Sequence, residues 1–351
     1  GTPPVTRAAI LAVFRRREFE RARRRERIFR DRSQPLELGD GDIFRKYRFT
    51  RDGCMHVINL IRPLLQHDTQ RNQALPPELQ VFIALNFYAT GAVLDSTATI
   101  HGITRSTASR VIHRVSVTLG TLKHEIIKFP TTMEEVNRAQ VDFFNISGFP
   151  QVIGVVDGTH IRLNGAPLGP GEHVYMNRKG YYSINTQIIC DTNYKIINIL
   201  ARWPGSTHDS RIFQNSRVGQ TFEDLQQHGL LLGDSGYALR PYLMTPVLNP
   251  RTPAEQAYNR AHATTRVRIE QVNGQLKHKF RCLLNGMQMA PRRACKIITA
   301  CAVLHNVAKD LKQPDEVDFG IEQHEHEPDR DDHIVDNGLA IRNTIIANYF
   351  H

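Results

Sequence analysis

The chain has 351 residues, 40% of them hydrophobic, and a formal net charge of +10, which is length and apolar content enough for more than one packed unit. No apolar run approaches the roughly 20 residues of a bilayer span, so a soluble protein without membrane contact is expected. The five cysteines form no CxxC pair, which argues against a zinc or disulfide framework and for reduced intracellular thiols.

The charge is unevenly spread. Residues 1–33 hold eleven Arg against four acids, residues 34–312 hold 32 basic against 21 acidic residues, and residues 313–351 hold two Arg against ten acids. A basic body attracts polyphosphate by counterion release. The Arg-rich N-terminal arm, 1–33, reads equally as a solvated segment or as a phosphate-binding or nuclear-import arm. The acidic C-terminal tail, 313–351, would solvate the terminus or compete with DNA.

Residues 34–150 read as a helical domain, interrupted at Leu75-Pro76-Pro77, whose prolines open a helix over Glu78 to Thr90. Within it, residues 96–114 have the form of a helix-turn-helix: a short helix from Ser96 to His101, a turn at Gly102 to Thr104, and a second helix from Arg105. Val111, Ile112 and Val115 would pack inward, leaving Arg105 and Arg110 outward to meet DNA. Glycine-turned helix pairs are also common as simple packing.

From Gln151 the pattern turns to short β-rich runs, and 151–312 reads as a catalytic domain. The runs 152–156, 182–190, 195–202, 230–233 and 242–247 are predicted strands, with a helix starting near Ser206 between the third and fourth. Asp157 then sits on the first strand, Asp234 ends the fourth, and Glu270 follows on a later helix, with 35 residues between it and Asp234. That helix opens with a capping-box pattern at Thr252-Pro253-Ala254-Glu255. Ile269, Val272, Leu276 and Phe280 form its buried stripe, and Glu270 lies off it with Arg266, Asn273, Gly274 and Lys277. Two aspartates followed by a glutamate are the oxygen ligands that a two-metal phosphoryl-transfer site requires. Each residue alone has a plainer reading: the aspartates as turn residues, Glu270 as the partner of Arg266 in an i, i+4 surface pair.

Several blocks in this order resemble PIF/Harbinger-type DDE transposases and the Harbinger transposase-derived nucleases: Gly154 to Ile161, Asn177 to Gly180 with Ser183 and Asn185, Trp203 to Arg211, Leu232 to Tyr237, Ile269-Glu270 with Leu276-Lys277, and Val303 to Asn306. The resemblance, over about residues 40–310, implies an α/β fold with an RNase H-like core behind an all-helical domain. It implies Asp157, Asp234 and Glu270 as the catalytic triad and ligands of Mg²⁺ or Mn²⁺. Asp209 matches a fourth acid, a metal ligand or else a helix cap. Arg178, Lys179, Arg266 and Lys277 would position phosphates. Ala263 stands where a related signature has tyrosine.

The function implied is cutting of element-end DNA by metal-assisted hydrolysis and joining of the 3′-hydroxyl to target DNA. A domesticated DNA-binding adaptor, or a nuclease that does not integrate, are the alternatives. The expected partners are double-stranded DNA, a Myb/SANT-like accessory DNA-binding protein and further copies of the chain, in the nucleus.

Overall fold

The computed structural model describes residues 31–66, 74–165, 168–224, 228–314 and 336–350. Most of the arginine-rich arm, residues 1–30, and the acidic stretch 315–335 lie outside the described residues.

Helices α1 (Asp40–Tyr47), α2 (Arg51–Leu65), α3 (Pro77–Thr90), α4 (Leu94–Ile100), α5 (Arg105–Thr121), α6 (Lys123–Ile126) and α7 (Met133–Ser147) precede the first strand. The proline pair does open α3, which is buried from Leu79 to Ala89. A helix apolar on all sides belongs in the centre of a bundle. Gly102 takes φ +62° in the turn between α4 and α5, a conformation that a side chain resists. Thr104 caps α5 by accepting from the Thr107 amide at 3.3 Å. Val111, Ile112 and Val115 are buried as their spacing predicts, with α5 against α3 and α4.

The second half carries one five-stranded sheet in the order β3-β2-β1-β4-β5, with β1 (Val152–Arg162), β2 (Ser183–Cys190), β3 (Ile196–Pro204), β4 (Leu230–Leu232) and β5 (Leu243–Met244). The first three strands are antiparallel neighbours, and β4 and β5 join parallel to β1. This mixed α/β arrangement is compatible with an RNase H-like DDE core. Val152 to Thr159 of β1 are buried without a break, as expected where both faces of a sheet are covered. On one face, Phe213 and Phe222 of α8 (Asp209–Gln214) and α9 (Arg217–Glu223) cluster with Ile153, Val156 and Leu231. On the other, Ile269, Val272 and Leu276 of α10 (Pro253–Lys279) join Val152 and Val155 in the main core.

Two features differ from the simplest reading of the chain. The change of pattern at residue 151 is a change of architecture within a continuous core, because α11 (Pro291–Asp310) packs on both α5 and β3. At the far end of the expected tail, 336–349 is a helix, α12 (Asp336–Tyr349), packed on α10 and β5. Phe350, just beyond it, meets Phe149 and Tyr258 at ring-centroid distances of 5.6 and 5.7 Å. Apolar contact outweighs the acidic composition there.

Candidate active site

The parallel register of β1 and β4 builds the centre of the site. Val155 pairs with Leu232, the last residue of β4, so Asp157 stands two residues further along β1 and Asp234 two residues beyond the end of β4. Strand side chains alternate, so Asp157 points as Val155 does, toward α10. Both aspartates are buried, at 5% and 4% exposure. Asp234 Oδ1 accepts from the Gly236 amide at 3.0 Å, a turn that stops the strand and holds the carboxylate. Ser210 of α8 ties down the same loop: its hydroxyl donates to Gly236 O and accepts from the Ala238 amide, each at 2.9 Å.

Helix α10 brings the third acid. Thr252 and Glu255 form the expected capping box with Pro253 in the first turn, and the buried stripe seats the helix against β1. Glu270 is half-exposed, and Arg266, one turn before it, lies with its Nη1 3.9 Å from Glu270 Oε1. The other amino group, Nη2, lies 3.5 Å from Asp157 Oδ1. Asn273, three residues after Glu270, donates from Nδ2 to Asp157 Oδ2 at 2.9 Å. Two turns of helix thus supply Glu270 itself and both groups that grip Asp157.

Asp209 approaches from the opposite face of β1. A Cβ on Gly158 would lie 2.3 Å from Asp209 Oδ1, so the carboxylate fills the space that glycine leaves open. Asp209 begins α8, yet that helix has no side-chain cap. Its Oδ1 instead accepts from Asn185 Nδ2 at 2.7 Å, and the same amide donates to Thr207 O at 2.9 Å.

Burial pushes the Asp157 carboxyl well above the ordinary carboxylate range; Arg266 pulls it down, while Asp234, Asp209 and Glu270 push it further up. Burial also raises Asp209, to about 6, opposed by the Asn185 hydrogen bond and reinforced by Asp234. The Tyr237 hydroxyl is raised by burial and then by Asp209, Asp157 and Asp234, and it is buried without a hydrogen-bond partner. Crowded, desolvated carboxylates of this kind call for a cation. The donor set is all oxygen, and the Oδ1 atoms of Asn185 and Asn273 are likewise buried and unbonded. Its chemistry fits a hard divalent ion. Among the described residues, no three His, Cys, Asp or Glu side chains stand together as a finished ion cage. The cation in place between Asp157 and Glu270 is the Arg266 guanidinium.

A cleft of about 270 Å³ opens beside Asp157 and Asp209, lined also by His160, Arg178, Lys179 and Lys277. The loop carrying Arg178 and Lys179 is fixed by Asn177, whose Oδ1 accepts from the Lys179 and Tyr181 amides at 3.0 and 3.3 Å. Three of the four residues expected to meet phosphate beside the acids therefore face the cleft. Arg266, the fourth, is 13% exposed and held by carboxylates; burial against β1 draws it inward. Arg105 and Arg110 stand apart on α5, with Arg105 Nη1 3.3 Å from Asp95 Oδ2. Asn273 and Tyr237 are the residues that sequence reasoning left without a role. Their only signals were a carboxamide on the Glu270 face and a tyrosine three residues after Asp234.

Residues 156–306 match the family described as DDE superfamily endonuclease. The chain is 34% identical to HARBI1 of Homo sapiens, a protein named as a nuclease, over 282 residues that cover 79% of this chain and 80% of that protein. HARBI1 of Xenopus laevis is 31% identical over 282 residues, covering 79% and 81%. The ALP1-like protein of Arabidopsis thaliana is 26% identical over 252 residues, covering 66% and 61%. No solved structure is significantly similar to the chain. With this likeness over about four fifths of its length, the chain belongs to the Harbinger transposase-derived nuclease family of DDE superfamily endonucleases.

Proposed function

We propose that the chain is a metal-dependent DNA endonuclease that cuts element ends and joins the released strand to target DNA. The observation that supports this reading is the parallel pairing of β1 with β4, near whose ends buried Asp157 and Asp234 feel each other's charge, with the helix bearing Glu270 packed on β1. Asp157, Asp234 and Glu270 would hold a Mg²⁺ or Mn²⁺ ion, with Asp209 as a further ligand. Bound there, the ion supplies Lewis-acid polarisation and charge neutralisation at the scissile phosphate.

The protein's own groups do the rest. Asn273 fixes Asp157 through Oδ2, leaving Oδ1 turned toward Arg266. Asn185 does the same for Asp209. Arg178, Lys179 and Lys277 bind and orient the phosphates that flank the cut. Hydrolysis leaves a 3′-hydroxyl on the element strand, and in the joining step that hydroxyl attacks a target phosphodiester, displacing a strand end. No covalent enzyme intermediate is needed, so no serine or tyrosine serves as nucleophile.

Arg105 and Arg110, exposed on α5, read bases, and the arginine arm adds sequence-independent affinity. One helix pair offers limited discrimination between two element ends and bulk DNA. A Myb/SANT-like partner that binds the ends supplies the remainder by raising local concentration, and the chain works as a homo-oligomer in the nucleus.

The test incubates the purified chain, Mg²⁺ and labelled element ends with a target plasmid. Cleaved and joined products are expected. Cleavage without joining would reduce the reading to a nuclease, and binding with neither would favour an adaptor.

A further inference from the structure

We propose that Arg266 is the resident counter-cation of the acid cluster, which competes with the divalent ion for Asp157 and Glu270 and so sets metal affinity. This rests on the metal-dependent reading above. The guanidinium spans two carboxylates from different elements, with Nη2 3.5 Å from Asp157 and Nη1 3.9 Å from Glu270. At 13% exposure it has little water to share its charge, and arginine does not lose its proton in proteins. Without it, Asp157 would face Asp234, Asp209 and Glu270 with no cation in contact.

An ion coordinated by Asp157 and Glu270 needs the same oxygen lone pairs and the same space. The grip is loose. Charge-assisted contacts to arginine are about 2.7–2.9 Å when well made, whereas these are longer, and the Nε hydrogen is buried without a partner. Arg266 is therefore held by charge and not by a fork of good hydrogen bonds, which is how a displaceable cation should be held.

Displacement has a destination. Lys277 follows Arg266 by eleven residues, about three turns of helix, so both lie on one face of α10, and Lys277 lines the cleft. Arg266 swung toward Lys277 meets the phosphate backbone of bound DNA. Metal entry and phosphate capture are then two ends of one side-chain movement.

The experiment titrates Mn²⁺ into the full chain without DNA and follows free Mn²⁺ by electron paramagnetic resonance. Arg266→Met should bind Mn²⁺ about tenfold more tightly than wild type, a gain near 1.4 kcal/mol; a merely structural arginine would give weaker binding on removal. Unchanged or weaker binding by folded Arg266→Met overturns the proposal. If that variant does not fold, Arg266→Lys decides, since a point charge cannot span both carboxylates: several-fold tighter binding supports the proposal, and equal or weaker binding overturns it. Asp157→Asn separates the two levels of the argument. Were it to leave Mn²⁺ binding intact, the metal-site reading itself would fail, whatever Arg266 does.

Discussion

At the scale of single residues, the acids were legible and their supports were not. Asp157 and Asp234 stand where apolar runs end, and their order relative to Glu270 gave them meaning. Asn273 reads in the sequence as one more polar residue on a charged helix, and only packing of α10 on β1 buries it to 6% exposure and aims it at Asp157. Removal of such an orienting partner typically costs 10–100-fold. We expect Asn273→Ala to lower Mg²⁺-dependent cleavage by about that factor and to raise the Mg²⁺ concentration needed for half-maximal rate, both read from a metal titration. Asp209 could have been a helix cap, but α8 has no side-chain cap, and the carboxylate is buried and feels the charge of Asp234. Asp209→Asn should therefore cost on the order of 100-fold in cleavage rate, and a rate within threefold of wild type would return it to a structural part.

At the scale of elements, the five predicted strands and the α10 capping box appear close to their expected positions, because short apolar runs and the Thr-Pro-x-Glu signature are local properties. The parallel pairing of β1 with β4 is not local, and neither is α12, whose packing is hidden by the acidic composition around it. The cap itself is open to a stability test: Thr252→Ala should cost about 1 kcal/mol in chemical denaturation. Helix α10 also carries a pH-dependent tie. His262 lies buried with Nε2 3.1 Å from Met244 O, and burial first, then Arg266, pushes its pKa down to about 3. The unfolded chain titrates near 6.5 and so binds more protons than the folded one below that pH. The contribution of His262 is thus complete above pH 6.5 and is lost as pH falls toward 3. His262→Gln should flatten the fall in stability between pH 6.5 and 4, measured by denaturation at stepped pH. An unchanged slope would mean the ring is not held neutral.

At the scale of the whole molecule, a basic body and a separate arginine arm predict two kinds of DNA contact. Deleting residues 1–33, which hold eleven Arg, should weaken binding to all sequences and flatten its salt dependence, since phosphate contacts release counterions whatever the base. Changing Arg105 or Arg110 to Ala should instead alter sequence preference. The helical half and the sheet share α11, so under the proposed function these contacts would be mounted on the same core as the acids.

The central claim is that the carboxylates on β1, at the end of β4 and on α10 form one metal-dependent cutting centre. Its most direct test is the rate of Mg²⁺-dependent cleavage of a labelled duplex by wild type, Asp157→Asn, Asp234→Asn and Glu270→Gln, each at saturating DNA. The account predicts cleavage reduced roughly 10³-fold or more in each variant, with DNA affinity changed by less than about threefold. Wild-type cleavage by any one of them would contradict it.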